Sequence, residues 1–469
     1  MTNLDCDVAI IGAGTAGLAA ERRARADGAT TLLIDDKFAG TTCATVGCMP
    51  SKLLIAAAHA AHTARSAAVF GVKVAEPEID GTAVMARVRK ERDVFAASTV
   101  ETIEEIPADV RIRARAHFIN ATALMLDDGR QIKAKAIVIA TGSHPNIPSM
   151  FAALGDRVLT NETIFDLPDL PRAVAVIGAG PLGLELAQAL VRLGVDTQVF
   201  DQGKHLAGLH DDAVAAELHA ILERELPIRL GVELDAKRVG DSVQLTWTGV
   251  SNGQATFDYA LVAVGRPPSV EGLGFDKTGL VLDRHGVPEF DSNTMRCGPS
   301  SIFIAGDADG DRAILHEASS EGAIAGRNAA AYPNVEEGKR SVPFSVMFTD
   351  PPLAVVGKPA AQDSVIGRAS YADQGRAKIE ARNAGLIRLY ASHPDGKLTG
   401  AAMVGPGMEH IGHLITWAIS RGETATSLLT LPFYHPTFEE GLKSALRAIC
   451  AQVHAPLPRD SDEGSGSGG

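Results

Sequence analysis

Two cysteines, Cys43 and Cys48, stand five residues apart in the stretch Gly40-Thr41-Thr42-Cys43-Ala44-Thr45-Val46-Gly47-Cys48-Met49-Pro50-Ser51-Lys52. Thiols at that spacing can close into a disulfide and reopen, which is two-electron chemistry. Pro50 marks the entry of a helix, because proline is tolerated in a first turn where the N–H it lacks would have no partner. The apolar run Leu53-Leu54-Ile55-Ala56-Ala57-Ala58 continues that helix and places Cys48 at its positive N-terminal end. The helix field, with Lys52 one turn on, favours thiolate over thiol. Taken alone, the pair also fits a structural bridge or two buried free thiols.

The elements that must hold these sulfurs announce themselves by repetition. Val8-Ala9-Ile10-Ile11-Gly12-Ala13-Gly14-Thr15-Ala16-Gly17 leads through a helical stretch to Thr31-Leu32-Leu33-Ile34-Asp35. Val174-Ala175-Val176-Ile177-Gly178-Ala179-Gly180-Pro181-Leu182-Gly183 leads likewise to Thr197-Gln198-Val199-Phe200-Asp201, and both copies run 23 residues from first glycine to closing aspartate. Each reads as a βαβ unit. Gly12, Gly14 and Gly17, like Gly178, Gly180 and Gly183, permit a tight turn and the close approach of a pyrophosphate to a helix N-terminus. Asp35 and Asp201 can accept hydrogen bonds from ribose hydroxyls. A lone G-x-G-x-x-G says little, but the full strand–turn–helix–strand–acid context, present twice, implies two dinucleotides.

Further short apolar runs suit buried parallel strands. One ends in Thr141-Gly142, one in Gly265, and a third, Ser301-Ile302-Phe303-Ile304-Ala305-Gly306-Asp307, closes on an acid. From about Ser341 the character changes: Pro343, Pro351, Pro352 and Pro359 precede strand-like segments at 385–390 and 398–404, and helical patterns follow at 413–420 and 440–451. That is a separate α+β domain.

The chain's 469 residues suggest about three domains. Hydrophobic content of 45% and charged content of 22% are ordinary for a globular protein. No apolar run approaches the ~20 residues needed to cross a bilayer. The acidic start at Asp5 and Asp7 passes directly into a strand, so no secretory signal and a cytoplasmic location are expected. A net charge of −13 argues against affinity for nucleic acid or anionic membrane. Cys6, Cys297 and Cys450 lack a local partner or metal-ligand spacing and read as ordinary thiols, and no metal site is expected. Gly464–Gly469 has the composition of an artificial linker and is set aside.

On these motifs and their order, the chain from Asp7 to about Gln452 resembles the pyridine nucleotide–disulfide oxidoreductases, a flavoprotein family. The resemblance implies an α/β fold with two Rossmann-like dinucleotide-binding domains, for FAD and NAD, and a C-terminal α+β dimerisation domain. The implied division is 1–148 and 271–342 for the two parts of the FAD-binding domain, 149–270 for the NAD-binding domain and 343–458 for the interface domain, with a disordered tail at 459–469. By the same resemblance Cys43 exchanges with substrate and Cys48 faces the flavin. Lys52 and Glu185 match an ion pair at the flavin, Asp307 a contact to its ribityl chain, and Thr141, Gly142 and Gly265 further cofactor contacts. Apart from the resemblance, Asp307 could cap a helix, and Lys52 and Glu185 could be solvated helix charges. In His435-Pro436-Thr437-Phe438-Glu439-Glu440, His435 matches the family's acid–base and Glu440 the residue that orients it. Imidazole has the right intrinsic pKa for that work. In the family this histidine serves the partner subunit's cysteines, so a homodimer is implied.

Thr41, Thr45, Phe433 and Pro352 depart from residues common in the family, though none removes a reacting group. Asp201 disfavours a 2′-phosphate and points to NAD. Pro181 stands where glutathione reductases carry a gating tyrosine. Arg22 and Arg23 fall where glutathione reductases hold a charged peptide disulfide, but Arg22-Arg23-Arg25 also reads as a solvated helix face. The lone Cys450 speaks against branches that use a C-terminal redox pair. The expected activity is oxidation of dihydrolipoyl groups on a separate carrier protein or E2-type subunit, as in the dihydrolipoamide dehydrogenase branch. The alternatives are an NAD(P)H-dependent reductase of a small disulfide and a scaffolding subunit of a larger assembly.

Overall fold

The computed structural model describes residues 3–458, so the tail at 459–469 lies outside the described residues. The first sheet is built on the strand Asn3–Ile11, which pairs in parallel with Thr31–Asp35 on one side and Gln131–Ile139 on the other. Val8, Ala9 and Ile10 are fully buried, as both faces of a strand must be when helices cover the sheet from both sides. Arg111–Arg113 extends one edge. Ala123–Leu126 and Ala116–Asn120 extend the other as an antiparallel pair. The chain returns to this sheet much later, when Ile302–Ile304 pairs in parallel with Gln131–Ile139. That strand is shorter than the run from Ser301 to Asp307 suggests, because Gly306–Asp309 turns into a 3₁₀ helix.

The second fingerprint opens a five-stranded parallel sheet in the order Ile228–Leu230, Asp196–Asp201, Ala173–Ile177, Tyr259–Val262, Val158–Leu159. An antiparallel sheet of Val232–Val239, Ser242–Gly249 and Gly253–Phe257, which the sequence patterns did not announce, packs beside it around Phe200, Trp247 and Phe257. Five antiparallel strands between Phe344 and Val404 form the third unit. Helices Met408–Arg421 and Gly441–Gln452 bury Ile411, Ile415, Leu446 and Ile449 in its core.

The cysteine helix, Cys48–Ser66, packs against Gly81–Glu104 and against Pro181–Arg192, the helix that opens the second fingerprint. By length and composition alone the stretch Thr42–Phe70 could cross a membrane, which corrects the expectation from the sequence. Its alanine content makes it apolar without a long run of large residues. In the fold it buries Leu54, Ile55, Ala58 and Ala61 against its neighbours.

Helices Thr15–Ala26 and Leu315–Ala331 touch at backbone distance. A Cβ on Gly322 or Gly326 would overlap the carbonyl oxygens of Ala16 and Ala20. The Gly326→Val substitution is therefore expected to lower stability by about 1–3 kcal/mol through overpacking, read as a lowered thermal midpoint. An unchanged midpoint would show that the two helices can part freely.

Candidate active site

The backbone that carries the two thiols folds back on itself. Thr41 caps the short helix Thr42–Thr45, its hydroxyl accepting from the Ala44 N–H, and Thr45 Oγ1 returns a bond to the Thr41 carbonyl at 2.9 Å. These two departures from the family pattern thus serve the loop itself. Gly47 then caps the cysteine helix, where a Cβ would lie 2.8 Å from the Thr42 oxygen and 3.2 Å from Cys43 Cα. Glycine is required for the loop to close so tightly, and closure brings Cys43 against Cys48.

Both are free thiols, and they are unequal. The Cys43 S–H donates to the Cys48 sulfur, and this bond, helped by the Lys52 ammonium, brings Cys48 down to about 6 despite its partial burial. Cys43 is pushed up by the same bond and by burial. Cys48 is thus the resting thiolate and Cys43 the proton-bearing thiol.

Lys52 Nζ lies 2.7 Å from Glu185 Oε2 and 4.7 Å from the Phe348 ring centre. Glu185 is only 5% exposed, so the alternative of solvated helix charges is excluded for it. Its other oxygen accepts from the Phe348 N–H at 2.8 Å. Cys43, Cys48, Lys52 and Glu185 share a cleft of about 360 Å³ with Gly14, Gly142, Asp307, Pro181 and Arg266.

The two glycine loops are copies in three dimensions. Gly12 and Gly178 have φ of +103° and +110°, and a Cβ on either would strike the next strand's backbone at Ala140 or Ala263. A Cβ on Gly17 or Gly183 would strike the carbonyl of that first glycine. Gly14 and Gly180 face open space, where a pyrophosphate can approach the helix N-terminus. Asp35 Oδ2 accepts from Ala13 N at 2.9 Å, and Asp201 Oδ2 from Ala179 N at 2.6 Å, so each carboxylate sits at the mouth of its loop. Thr141 Oγ1 is buried with no partner beside the first loop, as a side chain awaiting a ligand would be. Gly142 (φ +72°) and Gly265 (φ +108°) both have open space where a Cβ would stand.

A relay that no sequence motif announced joins these parts. Asn161 Nδ2 donates to the Val46 carbonyl in the cysteine loop at 2.9 Å, and its Oδ1 accepts from Arg266 Nη1 at 2.8 Å. Arg266 donates to the Ser143 hydroxyl and carbonyl, and Ser143 Oγ donates to Asp307 Oδ2 at 2.7 Å. Arg266 follows Gly265 directly, which is the one signal that could have found it.

His435 and Glu440 are brought together with each other, Nδ1 to Oε2 at 3.0 Å, and Glu440 also accepts from the Thr437 N–H. They do not line the cysteine cleft, and no histidine does among the described residues. The segment that carries them borders an apolar groove with Trp417, Leu431, Phe433 and Tyr434, the tyrosine 83% exposed. Apolar surface of this kind is commonly covered by a protein, a membrane or a ligand.

The family model for pyridine nucleotide-disulphide oxidoreductases matches residues 6–322, and the model for that family's dimerisation domain matches 343–446. The chain belongs to the pyridine nucleotide-disulphide oxidoreductases. FAD and NAD are the cofactors of that family, and the two glycine loops fit them. Similar curated proteins include a dihydrolipoyl dehydrogenase from Chlamydia muridarum, 30% identical over 97% of this chain and 99% of its own length. Another is dihydrolipoyl dehydrogenase 3 from Pseudomonas aeruginosa, 31% identical over 94% and 97%. Among solved structures, LpdA from Mycobacterium tuberculosis (24% identity) covers 95% of this chain and 99% of its own at a TM-score of 0.80. The flavoprotein disulfide reductase RclA from Escherichia coli (20% identity) covers 94% and 99%, also at 0.80.

In the reduced protein, ultraviolet thiolate absorbance should titrate near pH 6, leaving about 90% thiolate at pH 7. As pH falls through that value the thiolate is lost. Cys43→Ala, which removes the S–H donor, and Lys52→Met should each move the titration upward, and a midpoint unmoved by both would contradict the assignment of Cys48.

Proposed function

We propose that this chain is an FAD-dependent dihydrolipoamide dehydrogenase, acting as a homodimer that oxidises protein-bound dihydrolipoyl groups with NAD⁺. The observation that carries the proposal is the unequal thiol pair in the cleft between the two fingerprints, with Cys48 held as thiolate beside the Lys52–Glu185 pair. The choice of lipoyl substrate is supported by the names of relatives that match along nearly their whole length. The choice of NAD is supported by Asp201, whose negative charge opposes a 2′-phosphate.

In the oxidised state Cys43 and Cys48 are joined. A dihydrolipoyl thiolate attacks the Cys43 sulfur, forming a mixed disulfide and releasing Cys48 as thiolate. The second dihydrolipoyl thiol gives its proton to His435 of the partner subunit, held by Glu440, and the resulting sulfur attacks the mixed disulfide. Lipoyl disulfide leaves, and Cys43 departs as a thiolate that takes the proton back from the partner's His435 and becomes the thiol that donates to Cys48. Bound FAD supplies the route by which the dithiol's two electrons reach NAD⁺ as a hydride, restoring the Cys43–Cys48 bond. Lys52 balances the negative charge on Cys48 throughout, and Glu185 holds Lys52 in place.

Cys48→Ser should retain FAD yet lose dihydrolipoamide turnover by about 10³-fold or more. His435→Gln should lose about 10²–10⁴-fold. Steady-state rates with lipoamide and with glutathione disulfide, each with NADH and NADPH, separate this reading from a small-disulfide reductase. Preference for glutathione disulfide, or unchanged lipoamide turnover in Cys48→Ser, would overturn it.

A further inference from the structure

Behind the Gly306–Asp307 turn lies a set of buried charges that the mechanism does not use. Glu321, on the helix Leu315–Ala331, is wholly buried, and its Oε2 accepts from the Gly306 N–H at 2.9 Å. Gly306 sits at φ +70°, where a Cβ would lie 2.8 Å from Ala16 Cβ of the first-fingerprint helix. The next residue is Asp307, which lines the cleft and receives the Ser143 hydroxyl. Glu321 therefore sets the turn that presents Asp307.

The other oxygen of Glu321 is bonded by Arg340. This arginine comes from outside the sheet, on the linker between Leu315–Ala331 and the first strand of the dimerisation domain, Phe344–Met347. It is 10% exposed and also reaches Asp311 Oδ2 at 2.8 Å and Glu317 Oε2 at 3.1 Å. Arg312 shares Glu317, at 3.0 Å. Asp309, in the same turn as Asp307, stands beside Glu321.

We propose that Arg340 is a positioning residue for the flavin site: it keeps Glu321 charged as the acceptor of the Gly306 N–H, and so fixes the turn that presents Asp307. The proposal rests on the reading of Asp307 as a flavin contact. The groups facing Glu321 are Asp309 from the turn, Glu317 from its own helix, and Arg340 from the linker, with Asp311 and Arg312 alongside through the two ion pairs. Burial, with Glu317 adding to it, leaves Glu321 raised overall, while Arg340, the Gly306 N–H and the Asp309 side chain pull it back down. Burial and the charge of Glu321 raise Asp309 to about 8, so Asp309 holds a proton at neutral pH and Glu321 carries the charge. Without Arg340, Glu321 would take up a proton as well, and the Gly306 N–H would lose its anionic acceptor. That loss is reversible, because the carboxylate returns as pH rises.

The test is the rate of FAD release from the purified holoenzyme, followed by flavin fluorescence between about pH 6 and pH 9. Arg340→Met should release FAD roughly tenfold to a hundredfold faster than the parent near pH 6. The excess should shrink as pH rises and the Glu321 carboxylate of the variant returns. Arg340→Lys, which keeps the charge but not the fork that spans Asp311, Glu317 and Glu321, should fall between the parent and Arg340→Met, and Glu321→Gln should release FAD faster at every pH. Parent-like release from Arg340→Met, or an excess independent of pH, overturns the proposal. If Arg340→Met yields no folded holoenzyme, Glu321→Gln decides, and parent-like release there overturns it equally. Asp307→Ala is the control on the underlying reading: parent-like retention in that variant would remove Asp307 from the flavin site, whatever Arg340 does.

Discussion

Glu185 cannot be buried as a bare charge, and the architecture follows from how that charge is satisfied. A carboxylate 5% exposed must find charged or N–H partners, since leaving it unpaired costs several kcal/mol. Its partners come from two other parts of the chain: Lys52 of the cysteine helix, and the Phe348 N–H at the start of the dimerisation domain. Along the same helix Gln188 exchanges bonds with the backbone of Asp350, and Arg192 joins Glu225 to the Asp350 carboxylate. One helix thus opens the second nucleotide fold, supports the lysine beside the thiolate and bolts down the third domain. The distance between the sulfurs and the second fingerprint is a property of that helix.

The thiol pair shows how local and non-local forces divide the work. Local backbone geometry, through Gly47 and the Thr41 cap, decides that the two sulfurs meet. Non-local charge decides which of them is ionised. The relay from Val46 through Asn161, Arg266 and Ser143 to Asp307 ties that loop to the Gly306–Asp307 turn with directional bonds, which resist displacement more than apolar contact would.

What could be read directly from the residues was whatever obeys a short period or a fixed spacing. The fingerprints declare themselves because glycine is required where a Cβ would strike backbone, and the structure places Gly12, Gly17, Gly178 and Gly183 in that situation. The cysteine loop and His435–Glu440 were legible for the same reason, each being a compact motif. Asn161, Arg266, Ser143, Glu321 and Arg340 were not, because their partners lie between 15 and 164 positions away and no periodicity encodes such a pairing. The antiparallel sheet over 232–257 was missed because its alternating, half-exposed strands carry none of the continuous apolar runs that marked the parallel ones. The membrane-length character of 42–70 was missed because alanine raises hydropathy without forming a conspicuous run.

The close contact between helices Thr15–Ala26 and Leu315–Ala331 bears on the order in which the molecule can be made. The first sheet begins at Asn3 but lacks the strand Ile302–Ile304 and its covering helix until some 300 residues later. The middle sheet, by contrast, has all its strands between Val158 and Val262. On a ribosome, where domains close as their parts emerge, the middle unit is the first with a complete parallel sheet. The amino-terminal segment, synthesised earliest, must wait with one face uncovered, and that interval is when the nascent chain most needs protection from aggregation.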